Sequence, residues 1–290
     1  MKEIVVVVSG KGGTGKTMFS ASLAYLTENK IMADCDVDAA NLYLLLKPEI
    51  KEKGDFISAQ KCFIEEDKCI GCGRCQEVCR FEAVVKEEDK FRIKEIACEG
   101  CGACRLVCPQ EAINSYQGKN GEWFVADTTY GPFVYARLGV LEENSGRLVT
   151  LVKEKARNLA LEKRAEYIIV DGPPGIGCPL ISSLSGANLA LIITEPSLSA
   201  ISDLERLLNV CSHFRLPALV IINKFDINED NTDLIAEKCR KRNVEVVGKV
   251  PFDRDIPLAI AAQKILVKEN PQNSSSQAIL SAWKNIRRFL

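Results

Sequence analysis

Two sets of residues in this 290-residue chain have types and spacings that do chemistry. The first is GKGGTGKT at 10–17, which fits the pattern G-x4-G-K-T. A glycine loop with that ending cradles phosphate on backbone N–H groups, neutralises it with a lysine and offers a hydroxyl to Mg2+. Gly10, Gly12, Gly13, Thr14 and Gly15 are therefore expected to wrap phosphate, with Lys16 supplying the charge and Thr17 the hydroxyl. The second set is a pair of cysteine runs, CIGCGRCQEVC at 69–79 and CEGCGACRLVC at 98–108. They match cysteine for cysteine at an offset of 29 residues (98 against 69), and the FEAV and QEAI that follow match as well. Each run reads C-x2-C-x2-C-x3-C, whose close triplet suits three corners of an iron–sulfur cubane. Zinc on four thiolates is the alternative, but zinc requires neither a third cysteine at this spacing nor a near-exact duplication.

Over about 50 residues the cysteine segment resembles a two-cluster bacterial ferredoxin, in which the fourth cysteine of each run ligates the other cluster. On that pattern Cys69, Cys72, Cys75 and Cys108 hold one [4Fe-4S] cluster, and Cys98, Cys101, Cys104 and Cys79 hold the second. One departure is that Pro109 follows the second run while Arg80 follows the first.

The elements that must position these groups alternate. EIVVVVS is a continuous apolar run, as in a parallel strand covered on both faces. KTMFSASLAYLTE reads as the next helix and KIMADCD as a short strand. Further along, RLVTLVKEKARNLALEKRA is helical, EYIIVDGPPG is a strand running into a loop, and NLALIITEP, PALVIINKFD and VEVVGKVPFD are buried strands separated by helices. This rhythm predicts an α/β fold, a mostly parallel sheet with helices on both faces. The composition of the middle differs, so residues 1–59 and 118–290 are expected to form one domain, and 60–117 a small inserted α+β domain of ferredoxin type.

The early lysine of the loop, Lys11, gives the form K-G-G-x-G-K-T. It resembles the deviant Walker A motif of the MinD/ParA superfamily, which includes the nitrogenase iron protein and the Mrp-type iron–sulfur carriers. The resemblance covers about 230 residues around the insertion. It implies an ATP-bound dimer, with the same chain or a similar ATPase, in which Lys11 contacts the nucleotide of the opposing subunit. ADCDVDAANL at 33–42 resembles the first switch, with Asp34 holding a Mg2+-bound water and Asp36 orienting the attacking water; Asp38 reads equally as a helix N-cap. IIVDGPPGIG at 168–177 resembles Walker B and the second switch, with Asp171 supporting Mg2+. Catalysis would then rest on Lys11, Lys16, Asp36 and Asp171 through positioning and electrostatics. In NKFD at 223–226, Asn223 and Lys224 would meet adenine together with Pro251 and Phe252; the alternative is a GTPase reading in which Asp226 accepts from guanine. His213 is expected to pack or cap.

The implied job is ATP binding and hydrolysis coupled to electron transfer or to metal-cofactor assembly, through a redox or cofactor-assembly partner. The alternative is a positioning ATPase of the MinD/ParA kind. Cys178 follows the second switch and is expected to be a buried cysteine at a helix start, while Cys35, Cys62, Cys211 and Cys239 are isolated. The terminal SQAILSAWKNIRRFL is expected to pack on the sheet rather than lie on a membrane. A formal net charge of −1 gives no global basic surface for nucleic acid. No signal peptide is recognised, and thirteen cysteines point to a reducing, cytoplasmic setting.

Overall fold

The computed structural model describes residues 3–57, 60–139 and 145–290. The chain begins with β1 (Glu3–Ser9), α1 (Lys16–Leu26), β2 (Lys30–Asp34), α2 (Leu42–Leu46) and β3 (Glu49–Phe56). It continues through β4 (Gln60–Ile64), α3 (Arg74–Glu77), β5 (Val84–Glu87), β6 (Lys90–Ile93), α4 (Ala103–Val107) and β7 (Ile113–Gln117). Then come β8 (Gly121–Thr128), β9 (Gly131–Leu138), α5 (Ser145–Lys163), β10 (Tyr167–Pro174), α6 (Cys178–Leu184), β11 (Leu189–Thr194) and α7 (Leu198–His213). The last elements are β12 (Ala218–Asn223), α8 (Glu229–Lys241), β13 (Glu245–Val250), α9 (Asp255–Ala261), α10 (Leu266–Glu269) and α11 (Ser274–Ile286).

The described residues fall into two compact units, one within Met1–Lys53, Trp123–Arg137 and Ser145–Leu290, the other within Gly54–Glu122 and Leu138–Asn144. The expected domain start at Met1 and the boundary at residue 59 lie outside the described residues.

A nine-stranded sheet runs in the order β13-β12-β11-β1-β10-β2-β9-β8-β3. From β13 through β9 the neighbours pair in parallel. The central strands are buried on both faces, which is why Val5 to Val8 are all apolar rather than alternating. With β1 flanked by β10 and β11, the loop after β1 leaves the sheet beside the carboxyl ends of its neighbours, where open α/β sheets bind ligands. Helix α11 lies close on β13, and a Cβ added at Gly248 would stand 2.6 Å from Ala282 Cβ. Ile279, Ala282 and Ile286 of α11 are buried in the core, with Trp283 and Leu290 packed against it. No described helix is long and apolar enough to cross a membrane.

The edge of this sheet departs from the sequence reading. The segment after α2 returns as β3, and β8 and β9, joined by the two-residue turn 129–130, add two more strands. Strand β3, EIKEKGDF, is charged and mostly exposed, so it carries no apolar alternation to announce it.

In the smaller unit β4 pairs antiparallel with β7, and β5 with β6. Helices α3 and α4 each start after a glycine in the left-handed region, Gly73 (φ 79°) and Gly102 (φ 77°). Its core is built from Phe91, Val84 and Ile113 together with Cys62, Cys75, Cys98 and Cys104.

Candidate functional site

The loop between β1 and α1 turns through Gly13 (φ 81°) and Gly15 (φ 94°), conformations that glycine adopts without strain. A Cβ at Gly15 would also sit 2.4 Å from Asn223 Nδ2, so this position is closed to any side chain. Gly12, Gly13, Thr14, Gly15, Lys16 and Thr17 line one large cleft, whose far wall carries Asn223, Lys224, Pro251 and Phe252. Gly10 instead backs onto α7, where an added Cβ would stand 2.2 Å from Asp203 Cβ.

Lys16 is the charge centre of the cleft, with 6% of its side chain exposed. Its Nζ donates to Asp171 Oδ1 at 2.7 Å and lies 3.7 Å from Asp36 Oδ2. Ser20 Oγ donates to the same Asp171 oxygen at 2.7 Å. Burial opposes the lysine's charge, but Asp171, Asp36 and Asp34 outweigh it and hold its pKa above the usual range. Asp36 faces the cleft, and burial pushes its carboxyl up to about 6 despite the attraction of Lys16.

Asp34 is set back from the cleft. It is fully buried, and its oxygens accept the backbone N–H groups of Asp36 (3.0 Å) and Leu42 (3.3 Å). Burial, and then Asp171, raise its pKa well above the carboxylate range. In this arrangement Asp34 ties down the turn that presents Asp36, and it does not line the cleft. Asp38 is not an N-cap: it stands in the turn before α2, whose N-cap position is Asn41.

At the base end, Asn223 Nδ2 donates to the Thr14 carbonyl at 2.8 Å, which fixes the amide's orientation. Its Oδ1 is buried at the cleft wall and has no partner. An unpaired acceptor there suits the 6-amino group of adenine, a position where guanine carries a carbonyl. Asp226, the guanine reader of the GTPase alternative, accepts the backbone N–H of Phe252 at 2.6 Å and so shapes the base loop. Helix α8 begins at Glu229 with Asn228 as its cap.

Lys11 has partners that the sequence did not announce. Its Nζ lies 2.7 Å from Glu195 Oε1 and donates to Ser197 Oγ (3.0 Å) and Ser199 Oγ (3.1 Å). Glu195 is shared: Lys224 Nζ donates to its Oε2 at 2.8 Å and to the Gly13 carbonyl at 2.9 Å. Burial works against Glu195's charge, but the two lysines hold its pKa low. The available signal was TEPS directly after a buried strand, where a carboxylate at a strand's carboxyl end reaches the phosphate loop.

In the smaller unit the sulfurs line two small cavities of equal size, about 20 Å³ each. Cys69, Cys72, Cys75 and Cys108 line the first, and Cys79, Cys98, Cys101 and Cys104 the second. Cys62 also lines the second cavity, so it is not the isolated residue that sequence reading suggested. Its thiol is pushed up to about 12, by burial first and then by the neighbouring Cys104 and Cys98. Among the described residues, no group of three or more His, Cys, Asp or Glu is gathered as a single metal ion requires. Cys178, expected to be buried, is exposed at the first residue of α6, whereas Cys35, Cys211 and Cys239 are buried. His213 is the last residue of α7, exposed and edge-on to Phe214.

This glycine loop at the end of β1, with its second lysine and with Asp36 and Asp171 beside Lys16, defines a class. The chain belongs to the family described as the CobQ/CobB/MinD/ParA nucleotide binding domain, which matches residues 5–267, and it is a P-loop ATPase of the MinD/ParA type. It is 35% identical over 289 residues to an uncharacterized protein of Methanocaldococcus jannaschii, covering 99% of this chain and 97% of that one. It is 24% identical over 300 residues to the septum site-determining protein MinD of Bacillus subtilis, covering 99% and 88%. Among solved structures, the Pyrococcus horikoshii MinD complexed with Mg-ADP superposes with a TM-score of 0.60 at 18% identity, covering 100% of this chain and 97% of that chain. That likeness reports the fold. These relatives support the MinD/ParA alternative of the sequence reading better than nucleotide-coupled electron transfer, for which they provide no support.

Proposed function

We propose that this MinD/ParA-type ATPase closes as a dimer around ATP and carries two [4Fe-4S] clusters in its cysteine-rich unit, residues 60–117 by sequence. The observation that carries the second half is the crossed lining of the two cavities. Each combines the close triplet of one repeat with the fourth cysteine of the other. A mononuclear ion draws four sulfurs to about 2.3 Å from one point. Four thiols around one cavity suit the separate irons of a cubane, and sulfurs near backbone N–H groups suit its charge. Cys62 N–H points at Cys98 Sγ (3.5 Å) and Ala112 N–H at Cys108 Sγ (3.3 Å). When bound, such clusters supply one-electron chemistry.

For the nucleotide, Lys16 and the N–H groups of the Gly12–Thr17 loop would hold the phosphates, Asn223 and the Pro251–Phe252 segment the base, and Asp36 would orient water. Thr17 and Asp171 are the residues that would support Mg2+ on the family pattern. Asp171 here is occupied by Lys16 and Ser20, so it would have to exchange partners on nucleotide binding. Lys11 would exchange Glu195 for the partner's phosphates. The likeness to MinD favours a second reading, in which ATP-dependent dimerisation serves positioning and the cysteine unit is an accessory.

The experiment is anaerobic purification with iron, sulfide and zinc analysis, followed by mass determination with ATP and with ADP. About eight iron and eight sulfide per chain are expected, with a dimer that forms on ATP. Stoichiometric zinc without sulfide, or a metal-free protein that still dimerises on ATP, would remove the cluster reading and leave the positioning one.

A further inference from the structure

Two lysines of the larger unit are buried away from the nucleotide cleft, and they differ in what they meet. Lys153 of α5 is 4% exposed, and its Nζ donates to the carbonyls of Ser182 (3.0 Å), Ser183 (2.5 Å) and Ser185 (2.6 Å) at the carboxyl end of α6. All three of its N–H donors are thereby used, at a helix end that favours a cation. Lys30, the first residue of β2, is 7% exposed. Among the described residues its Nζ has one acceptor, the Tyr130 carbonyl in the turn before β9. Burial pulls both lysines down to about 8. An ammonium carries three donors, so Lys30 holds two without a described protein acceptor, where a buried charge ordinarily finds partners.

Lys30 lines a cavity of about 170 Å³ together with Asn29, Tyr130, Gly131 and Lys163. A Cβ added at Gly131 would stand 3.8 Å from Lys30 Nζ, so the amine lies at the glycine wall of this cavity. The cavity forms where β2 and β9 begin and α5 ends, at the opposite end of the parallel strands from the glycine loop. Lys163, 54% exposed, adds a second cation at the rim, and its Nζ stands 3.4 Å from Glu162. None of the described lining residues is acidic, and Glu28, whose charge acts on Lys30, is not among them. The volume is far above the roughly 10–15 Å³ that a single water needs. It is far below the 760 Å³ of the nucleotide cleft, so the space suits a small ligand. We propose that this cavity binds a small oxyanion, a carboxylate or a phosphate, which accepts hydrogen bonds from Lys30 and is neutralised by Lys30 and Lys163. Its oxygens supply the acceptors that carbonyls supply to Lys153, and they bring the opposite charge as well. Every lining residue belongs to the larger unit, so the site does not depend on what the cysteine-rich unit carries.

The test is calorimetric titration of the full-length protein with acetate and, separately, with inorganic phosphate, at constant ionic strength. Saturating ADP is present so that the glycine loop is occupied, and the difference between wild type and Lys30→Met removes any phosphate still bound there. Wild type should show a saturable site for at least one of the two anions, and the tighter of the two identifies the class. Lys30→Met should weaken that binding about tenfold or more, through the loss of charged hydrogen bonds. Lys163→Ala, which alters an exposed side chain and keeps the fold, should weaken it about threefold. A wild type with no saturable site for either anion would overturn the proposal and leave Lys30 a hydrated lysine. Equal affinity in wild type and Lys30→Met would overturn it too. Where Lys30→Met does not fold, Lys163→Ala decides: weaker binding supports the site, and unchanged affinity overturns it.

Discussion

Asp36 is placed where its charge harms the resting fold and, on the proposed function, would serve the reaction. Lys16 is the one buried cation of the cleft, and Asp171 already neutralises it at 2.7 Å. Asp36, at 3.7 Å from the same lysine, is a surplus anion, and its carboxyl rises from 3.8 to about 6 on burial. Because folding raises this pKa, the folded chain holds the proton more tightly than the unfolded one. Ionisation therefore costs stability, and that stability is lost as pH climbs from 3.8 through about 6. A rise of about two units corresponds to about 3 kcal/mol. Solvent reaching the carboxylate at the open cleft reduces this to about 1–2 kcal/mol. Asp36→Asn should therefore raise the thermal midpoint of nucleotide-free, Mg2+-free protein at pH 7.5 by about 2–5 °C, while slowing ATP hydrolysis at least tenfold. The stabilisation should shrink as pH falls toward 5. Differential scanning calorimetry across pH, beside a phosphate-release assay, measures both. A variant destabilised at pH 7.5, or one stabilised equally at pH 5 and 7.5, would refute the surplus-anion argument.

Other substitutions test the remaining contacts. Lys16→Ala should abolish nucleotide binding, measured by calorimetric titration, and should also destabilise the fold by about 3 kcal/mol because it leaves Asp171 buried without its cation. Glu195→Gln should free Lys11 from its own chain; a partly exposed pair is worth about 1 kcal/mol, so the dimer constant with ATP should rise about fivefold by light scattering, whereas Lys11→Ala should bind ATP and stay monomeric. Asn223→Ala, which deletes the buried acceptor, should weaken ATP binding about tenfold and leave GTP binding nearly unchanged. Cys178→Ser should leave iron content and the ATP-dependent dimer untouched, since that thiol is exposed and lines neither cavity.

The parts of the site that the sequence disclosed are those where geometry permits few residue types. Only glycine serves at a φ of 94° with an amide 2.4 Å from its missing Cβ, so Gly15 and its neighbours read directly as a phosphate loop. The central strands were legible for a similar reason, since burial on both faces allows nothing but an apolar run. Strand β3 lies at the sheet's edge, where one side of the backbone is unpaired and charge is tolerated, so its sequence carried no comparable constraint.

Direction was the quantity that residue type could not supply. Asp34 and Asp36 are two residues apart and chemically identical, and only the fold decides that one accepts two backbone N–H groups while the other faces the cleft. Lys11 posed the same difficulty in another form. By resemblance it would meet a phosphate of the opposing subunit, yet in the single chain it lies against Glu195, from the far end of β11, a contact between residues remote in sequence that no local pattern encodes. An ATPase that must stay open without nucleotide needs its bridging lysine occupied by something it can release. A partly exposed carboxylate shared with Lys224 binds it by about the energy of a surface pair, which the phosphates of a bound nucleotide, carrying several negative charges, readily exceed. In the proposed dimer, the weakness of the Lys11–Glu195 contact would allow closure to depend on ATP.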